Sequence, residues 1–423
     1  MSSTSPSSKL DVNLSLTLPA SSAGPGPVEA LKPEERGIHL IQLLLTCANH
    51  TSSGNLHHAD ACLRQISLLA SVSGDPMQRL AARFAYALAT RLVKRWPGLY
   101  KALSHIQRSK STEGDRACAF FSQAFPYLGF AYAIIARTLV QAMSEERVIH
   151  IVDLGSGDPK LWVPFMRSFA LMDHGPPYLR ITCVNSNKVV LQNLGTRLVK
   201  EAESLGMPFQ FNPLNVSLRD LTTDMLKIRS GEALAMVSIL SLHVLLAEDD
   251  RVDAHFGFGG SKGNGMKDCK QMAEFLAMVR SMSPKVFLLV EQEADHNLNR
   301  LVDRFVEGLH YYSAIFDSLD VNYGSVSSEE RLAAEEMFGR EIEEIVACEG
   351  MEREERHERY ARWMVRFGRA GLKPVRLWSD KMVDAKQMVE AYGRDGYKIM
   401  KDKACMMICW HEQPLFAVSA WTC

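Results

Sequence analysis

The chain lacks the features that would mark a nucleic-acid coat, a membrane protein or a disulfide scaffold. Its 48 basic and 49 acidic side chains leave a net charge of −1, and Lys and Arg never run longer than a pair. That balance supplies no electrostatic stripe of the kind that non-specific binding to phosphates requires. No stretch stays apolar long enough to span a bilayer, and the Ser-rich start has no basic-then-apolar leader. The nine cysteines are odd in number and none falls in C-x-x-C spacing, which fits a reducing compartment, cytosol or nucleus. Common catalytic anchors are missing as well: no strand runs into a G-x-S-x-G elbow and no helix carries H-E-x-x-H. The glycine-rich stretch at 251–266 (Gly257, Gly259, Gly260, Gly263, Gly265) lacks Walker A spacing and reads as a surface loop.

What is present is a 423-residue chain with 47% hydrophobic residues, enough for a large core in one big domain or two smaller ones. Residues 1–33 are rich in Ser, Pro and Gly and are expected to be disordered, because they bury too little to offset ordering entropy. Within them Leu14, Leu16 and Leu18 alternate with polar residues and share one face of an extended segment. Residues 34–145 read as a leucine-rich helical region. Its apolar stripes are Ile41, Leu44, Leu45, Ala48, then Ala59, Cys62, Leu63, Ile66, then Met77, Leu80, Ala81, Phe84, Leu88, and it closes with an apolar segment over 117–143 interrupted at Pro126.

From 146 to 423 strands and helices alternate, with strands predicted near 147–154, 178–184, 208–212, 233–240 and 285–291. Runs at 404–410 and 415–421 form an antiparallel hairpin, and helices are expected near 297–318, 328–347 and 351–369, some packing on the N-terminal helices as a cap. The fold class is α/β: a Rossmann-like, methyltransferase-like core of parallel strands ending in an antiparallel hairpin, with an α-helical cap.

VIHIVDLGSGDP, residues 148–159, is a buried strand entering a glycine turn and a helix capped by Asp158 and opened by Pro159. Asp153, Gly155, Gly157 and Asn185 outline a hypothetical ligand pocket. In an S-adenosylmethionine enzyme, however, position 159 would be a third glycine and position 185 a carboxylate for the ribose hydroxyls. The favoured reading is a turn that joins strand to helix. Glu291, Glu293, Asp295 and His296 follow strand five at the carboxyl edge of the sheet, where acid–base chemistry is conceivable; helix capping by Asp295 and Asn297 is the simpler account. Cys405, Cys409 and His411 share a strand face, but residues four apart on a strand are separated by roughly 13 Å, too far for one tetrahedral ion. No catalytic residue, cofactor or metal site is expected.

Several separated motifs resemble those of the plant GRAS transcriptional regulators, over almost everything from Glu34 to Cys423. Ile149, His150, Ile151, Val152 and Asp153 match a VHIID core, followed by GPPYLRIT from Gly175 to Thr182. YYSAIFDSL from Tyr311 to Leu319 resembles the end of a PFYRE region. Arg340 to His357, with Glu355, Arg356 and His357, resembles an RVER region; Trp410 and the Ser419-Ala420-Trp421 triplet match a SAW region. KPEERG, LLLTCANH, RWPGLYKAL, MPFQFNP and the Ser-Ala-Trp-x-Cys terminus resemble the Scarecrow-like 3 subfamily. The resemblance implies that residues 38–107 and 191–230 are the helical regions flanking the VHIID core and that residues 34–423 together form the GRAS domain. Gly155, Ser156 and Gly157 depart from the family's less glycine-rich stretch.

What it further implies is a nuclear coregulator, not an enzyme, associated with gibberellin signalling and root development. Its expected partners are indeterminate-domain zinc-finger transcription factors, other GRAS proteins including DELLA proteins, and TOPLESS-type corepressors docking on Leu14, Leu16 and Leu18, with homo- or hetero-dimers among the forms. The alternatives are S-adenosylmethionine-like small-molecule binding or methyl transfer, and direct sequence-specific DNA binding through the cap groove.

Overall fold

Val148–Leu154 (β1) lies in the interior of the sheet because its run is apolar apart from His150 and Asp153 and is covered on both faces; only Val148 is exposed. In the computed structural model, which describes residues 32–108, 126–172, 175–248, 269–323, 329–377, 396–402 and 404–423, it pairs in parallel with Tyr178–Val184 (β2) and Ala233–Ile239 (β4). Phe209–Leu214 (β3) and Val286–Gln292 (β5) extend the parallel half, giving the order β3-β2-β1-β4-β5. β3 is only half buried and carries Pro213, which an edge strand tolerates. The tail with Leu14, Leu16 and Leu18, residues 117–125 and the 251–266 stretch lie outside the described residues.

Beyond β5 the sheet turns antiparallel. Gln413–Thr422 (β9) runs against β5 and pairs with Cys405–Trp410 (β8), the expected hairpin. Two strands were not foreseen: Lys373–Val375 (β6) beside β9, and Tyr397–Asp402 (β7) beside β8. β7 carries Lys398, Lys401 and Asp402, and this charged composition hides its period while protecting an edge from further pairing.

The cap starts with Pro33–Ser52 (α1), Leu56–Leu69 (α2), Pro76–Val93 (α3) and Pro97–Arg108 (α4). α3 is capped at both levels that its sequence offers: Asp75 accepts from Gln78 N, Gln78 reaches back to Asp75 N, and Pro76 opens the helix. On α1 the buried stripe is Leu40, Leu43, Leu44, Cys47 and Ala48, so the expected stripe is turned by about one position and Ile41 is 37% exposed. The cause is tertiary, since α1 packs on α2, α3 and Leu301–Tyr323 (α9) at once. Pro126–Met143 (α5) begins at its proline and lies on the sheet. Among the described residues no helix is long and apolar enough to cross a membrane.

Pro159–Ala170 (α6) and Lys188–Ser204 (α7) follow β1 and β2, and Lys270–Met282 (α8) precedes β5. α9, which also packs on β8 and β9, and Glu329–Ala347 (α10) then pack on α3. Arg79 binds the halves of this cap together, reaching Glu335 at 2.8 Å and Asp320 at 2.9 Å while itself buried. Residues 351–369 are not one helix. A 3-10 turn, Gly350–Glu352, leads to an extended segment, and the helix is only Tyr360–Arg369 (α11). Helix-forming Glu and Arg are overridden because Glu344 takes the backbone N–H groups of Glu354 and Glu355, and Glu293 takes that of Tyr360.

Candidate functional site

The turn after β1 is organised by one carboxylate. Asp153, fully buried, accepts from Ser156 N (2.9 Å), Ser156 Oγ (2.6 Å), Gly157 N (3.2 Å) and Trp162 Nε1 (2.8 Å). Burial pushes its pKa above the ordinary value while these donors pull it back. The backbone N–H groups of Ser156 and Gly157 are therefore spent inside the turn. Gly155 and Gly157 both have positive φ, +109° and +55°. A Cβ on Gly155 would stand 2.3 Å from Ser241 Oγ, and one on Gly157 2.6 Å from Val190 Cγ1.

Ser241 belongs to the turn after β4, so the two turns meet where the strand order reverses, the place at which open α/β sheets bind ligands. Asn185, at the end of β2, donates to Gly155 O (3.1 Å) and accepts from Asn187 N (2.8 Å). Tyr132 of α5 donates to Asp158 at the start of α6 (2.9 Å). Asp153, Gly155, Gly157 and Asn185 are thus brought together, with their polar groups engaged by one another and by adjoining turns.

His150 stands directly opposite Arg180 of β2 in the register. Arg180 donates to its Nδ1 (2.9 Å), so the ring proton is on Nε2, which faces Thr182 Oγ1 at 2.8 Å. Burial and the Arg180 charge lower its pKa to about 4. Arg180 is itself held by Glu232. The family-motif histidine is therefore a neutral link in a buried strand-to-strand network.

A second cluster lies at the carboxyl ends of β4 and β5. Glu291 accepts from Leu242 N (2.9 Å) and His243 N (3.2 Å), and its other oxygen takes His243 Nδ1 (2.8 Å). On the far side of that ring, His243 Nε2 is 3.2 Å from Glu355 Oε2, which is also 3.0 Å from His357 Nε2. His357 Nδ1 faces His296 Nδ1 at 2.9 Å, and His296 stacks on Tyr312. Burial disfavours a charged His243, but Glu291 and Glu355 on either side raise its pKa well above the ordinary value. Burial and His243 lower that of His357. His243, Glu355 and His357 are the described residues whose ligand atoms come close enough to hold a metal ion.

The expected acid–base group is rearranged in consequence. Glu291 pairs with His243, not His296, and Glu293 holds Tyr360 N. Asp295 and Asn297 do not cap α9, which begins at Leu301; they bind Arg362 of α11 (3.1 Å) and Glu358 (2.8 Å), tying down α11 and the end of the 353–359 segment. Arg356 adds to this clamp through Asn297 Oδ1 and Gly350 O. Trp410 donates to Asp317 (2.7 Å), and Trp421 is fully buried against Phe367. Cys405 and Cys409 are core residues, while His411 leaves the strand in a turn with φ +50°. His243 was missed by sequence reasoning; its signal was its place just after a parallel strand, within SLHVLL.

The chain matches the GRAS domain family over residues 40–422. It is 40% identical to Scarecrow-like protein 3 of Arabidopsis thaliana, covering 96% of this chain and 93% of that protein. It is 34% identical to DELLA protein RGL1 of Arabidopsis thaliana, covering 93% of this chain and 72% of that protein. The crystal structure of SCL7 in Oryza sativa superposes with a TM-score of 0.75 at 29% identity, covering 90% of this chain and 99% of that one.

Proposed function

The chain belongs to the GRAS domain family, and from that premise we propose that it is a nuclear transcriptional coregulator acting through protein–protein contacts, in gibberellin signalling and root development, and not an enzyme. The observation that carries this reading is the crevice at the strand-order reversal. Its donors and acceptors are consumed by Asp153, Asn185 and the turn itself, and Ser241 closes the space beside Gly155, so a methyl donor would have to displace interactions the fold depends on. The cap meanwhile leaves Ile38, Ile41, Leu68, Val72, Trp96 and Leu99 exposed, which supports docking of partner proteins there.

The partners proposed are indeterminate-domain zinc-finger factors and other GRAS proteins, DELLA proteins among them, with homo- or hetero-dimers formed through the cap. A TOPLESS-type corepressor is assigned to the Leu14, Leu16, Leu18 segment. The domain division proposed is a tail over 1–33, a helical region over 34–145 and an α/β core over 146–423 whose inserted helices complete the cap. Direct DNA binding draws less support: the groove lined by Leu80, His310, Asp317, Trp410, His411 and Glu412 carries acidic side chains. Calorimetric titration with S-adenosylmethionine, beside titration with a zinc-finger partner, tests the reading. Heat with the partner and none with the nucleoside is expected; saturable binding of the nucleoside with methyl transfer, lost in Asp153→Asn, would overturn it.

A further inference from the structure

We propose that His243, Glu355 and His357 form a binding site for one divalent transition-metal ion of the zinc class. The three side chains come from two segments that the fold brings together. His243 stands on the 3-10 turn Leu242–Leu246 after β4, and Glu355 and His357 on the extended stretch before α11. Their ligand atoms all lie within 4.8 Å of one another, with Glu355 Oε2 at 3.2 Å from His243 Nε2 and 3.0 Å from His357 Nε2. Around a four-coordinate zinc with bonds of about 2.0–2.1 Å, neighbouring ligand atoms stand about 3.3 Å apart. The two measured edges are close to that spacing.

The outer ring of contacts fits the same assignment. Metal-binding histidines hand their second nitrogen to a carboxylate, a carbonyl or another polar group, which fixes the ring and its tautomer. His243 Nδ1 is held by Glu291 at 2.8 Å, and Glu291 is in turn fixed by the backbone N–H groups of Leu242 and His243. His357 Nδ1 is held by His296 at 2.9 Å. Both rings therefore present Nε2 to Glu355.

An ion pair between His243 and Glu355 alone leaves a debt. His357 is fully buried and its Nε2 makes no hydrogen bond, although Glu355 Oε2 is 3.0 Å away. A buried ring nitrogen whose close partner is poorly aligned is costly, and a cation at the meeting point of the three groups removes that cost. Charge also balances, since a divalent ion beside neutral imidazoles is matched by the carboxylates of Glu355 and Glu291. Two imidazoles and one carboxylate suit zinc better than calcium or magnesium, which prefer all-oxygen shells. Glu355 is 23% exposed, which gives an ion a way in. The ion would pin the 353–359 segment to the ends of β4 and β5.

The test uses the full chain stripped with a chelator and titrated with zinc chloride by calorimetry, and in parallel with cobalt(II), whose visible absorption reports a four-coordinate site. His58 lies against His50 at 5.0 Å and His57 at 5.9 Å, a second imidazole cluster, so the titrations are run in a His57→Gln, His58→Gln background. One zinc per chain is expected there, with a raised melting temperature and the visible cobalt bands. Glu355→Gln and His357→Gln should each lose stoichiometric uptake, and Glu291→Gln should weaken affinity about 10- to 100-fold. The cobalt spectrum and the zinc-dependent melting shift need no variant at the site, so they decide the matter even if a substitution unfolds the protein. No stoichiometric uptake of either ion in the His57→Gln, His58→Gln background would overturn the proposal. So would a folded Glu355→Gln chain that binds zinc as tightly as its parent.

Discussion

Replacing Asn185 by Asp asks whether the crevice after β1 is a vacated cofactor site or a filled joint. The substitution installs the carboxylate that an S-adenosylmethionine enzyme would carry at the end of its second strand. In a vacated site it should gain affinity for the nucleoside. In the joint described above it removes the Nδ2 donor that reaches Gly155 O at 3.1 Å and sets a negative oxygen against that carbonyl. Losing the hydrogen bond costs about 0.5–1.5 kcal/mol, and a repelled, half-buried carbonyl adds about 1 kcal/mol. The bond accepted from Asn187 N survives, and the nearby N-terminus of α7 returns about 0.3–1 kcal/mol to a carboxylate. The net expectation is a destabilisation of about 1–2 kcal/mol, a fall in melting temperature of about 1–3 °C, and no effect of added nucleoside. Thermal unfolding with and without S-adenosylmethionine measures both quantities. A variant that is as stable as its parent and gains a saturable, ligand-dependent rise in melting temperature would refute the reasoning.

Three other perturbations test separate parts of the molecule. His150 has its pKa lowered to about 4 among Arg180, Arg229, Glu232 and Thr182, so the unfolded chain binds its proton first as pH falls. Its stabilising contribution is complete above about pH 6.5 and is lost toward pH 4, worth about 3 kcal/mol at most, and His150→Gln should flatten that part of the stability–pH curve. Arg79→Ala takes the nearer of two buried guanidinium groups from Glu335, leaving Arg331 at 3.5 Å, and should cost about 1.5–3 kcal/mol, read as a lower unfolding midpoint in urea with early loss of cap structure by hydrogen exchange. Replacing Leu14, Leu16 and Leu18 by Ala removes a gross ~5–9 kcal/mol of burial against a corepressor. A pull-down should lose the corepressor while the melting temperature of the folded part stays put.

Legibility in the sequence followed the range of the interactions. The parallel strands and the Asp158-Pro159 helix start could be read directly, because an apolar run bounded by turn residues and a cap are local chemistry. The α1 stripe was read one position out, since three packing partners and not the helix alone decide which face is buried. The sequence suggests a helix over 351–369, yet its first half, 351–359, is not one. Its true path depends on Glu344 and Glu293, side chains from other elements that no window of sequence contains. The same is true of the His243 cluster: Glu291, His296 and His357 were each singled out, but their convergence on His243 required the fold. Trp410 and Trp421 could be picked as motif residues, while their roles, a hydrogen bond to Asp317 and a contact with Phe367, needed coordinates.

The central claim is that function resides on protein surfaces of the cap and not in the crevice beside Gly155. The most direct measurement is the affinity of the full chain for an indeterminate-domain zinc-finger protein, compared among the parent, a variant carrying Ile38→Glu, Ile41→Glu and Leu68→Glu on exposed cap positions, and Asn185→Asp. The account predicts that the cap variant binds at least about tenfold more weakly, a loss of about 1.4 kcal/mol or more, while Asn185→Asp binds as the parent does. Undiminished binding by the cap variant, with binding lost in Asn185→Asp, would contradict it.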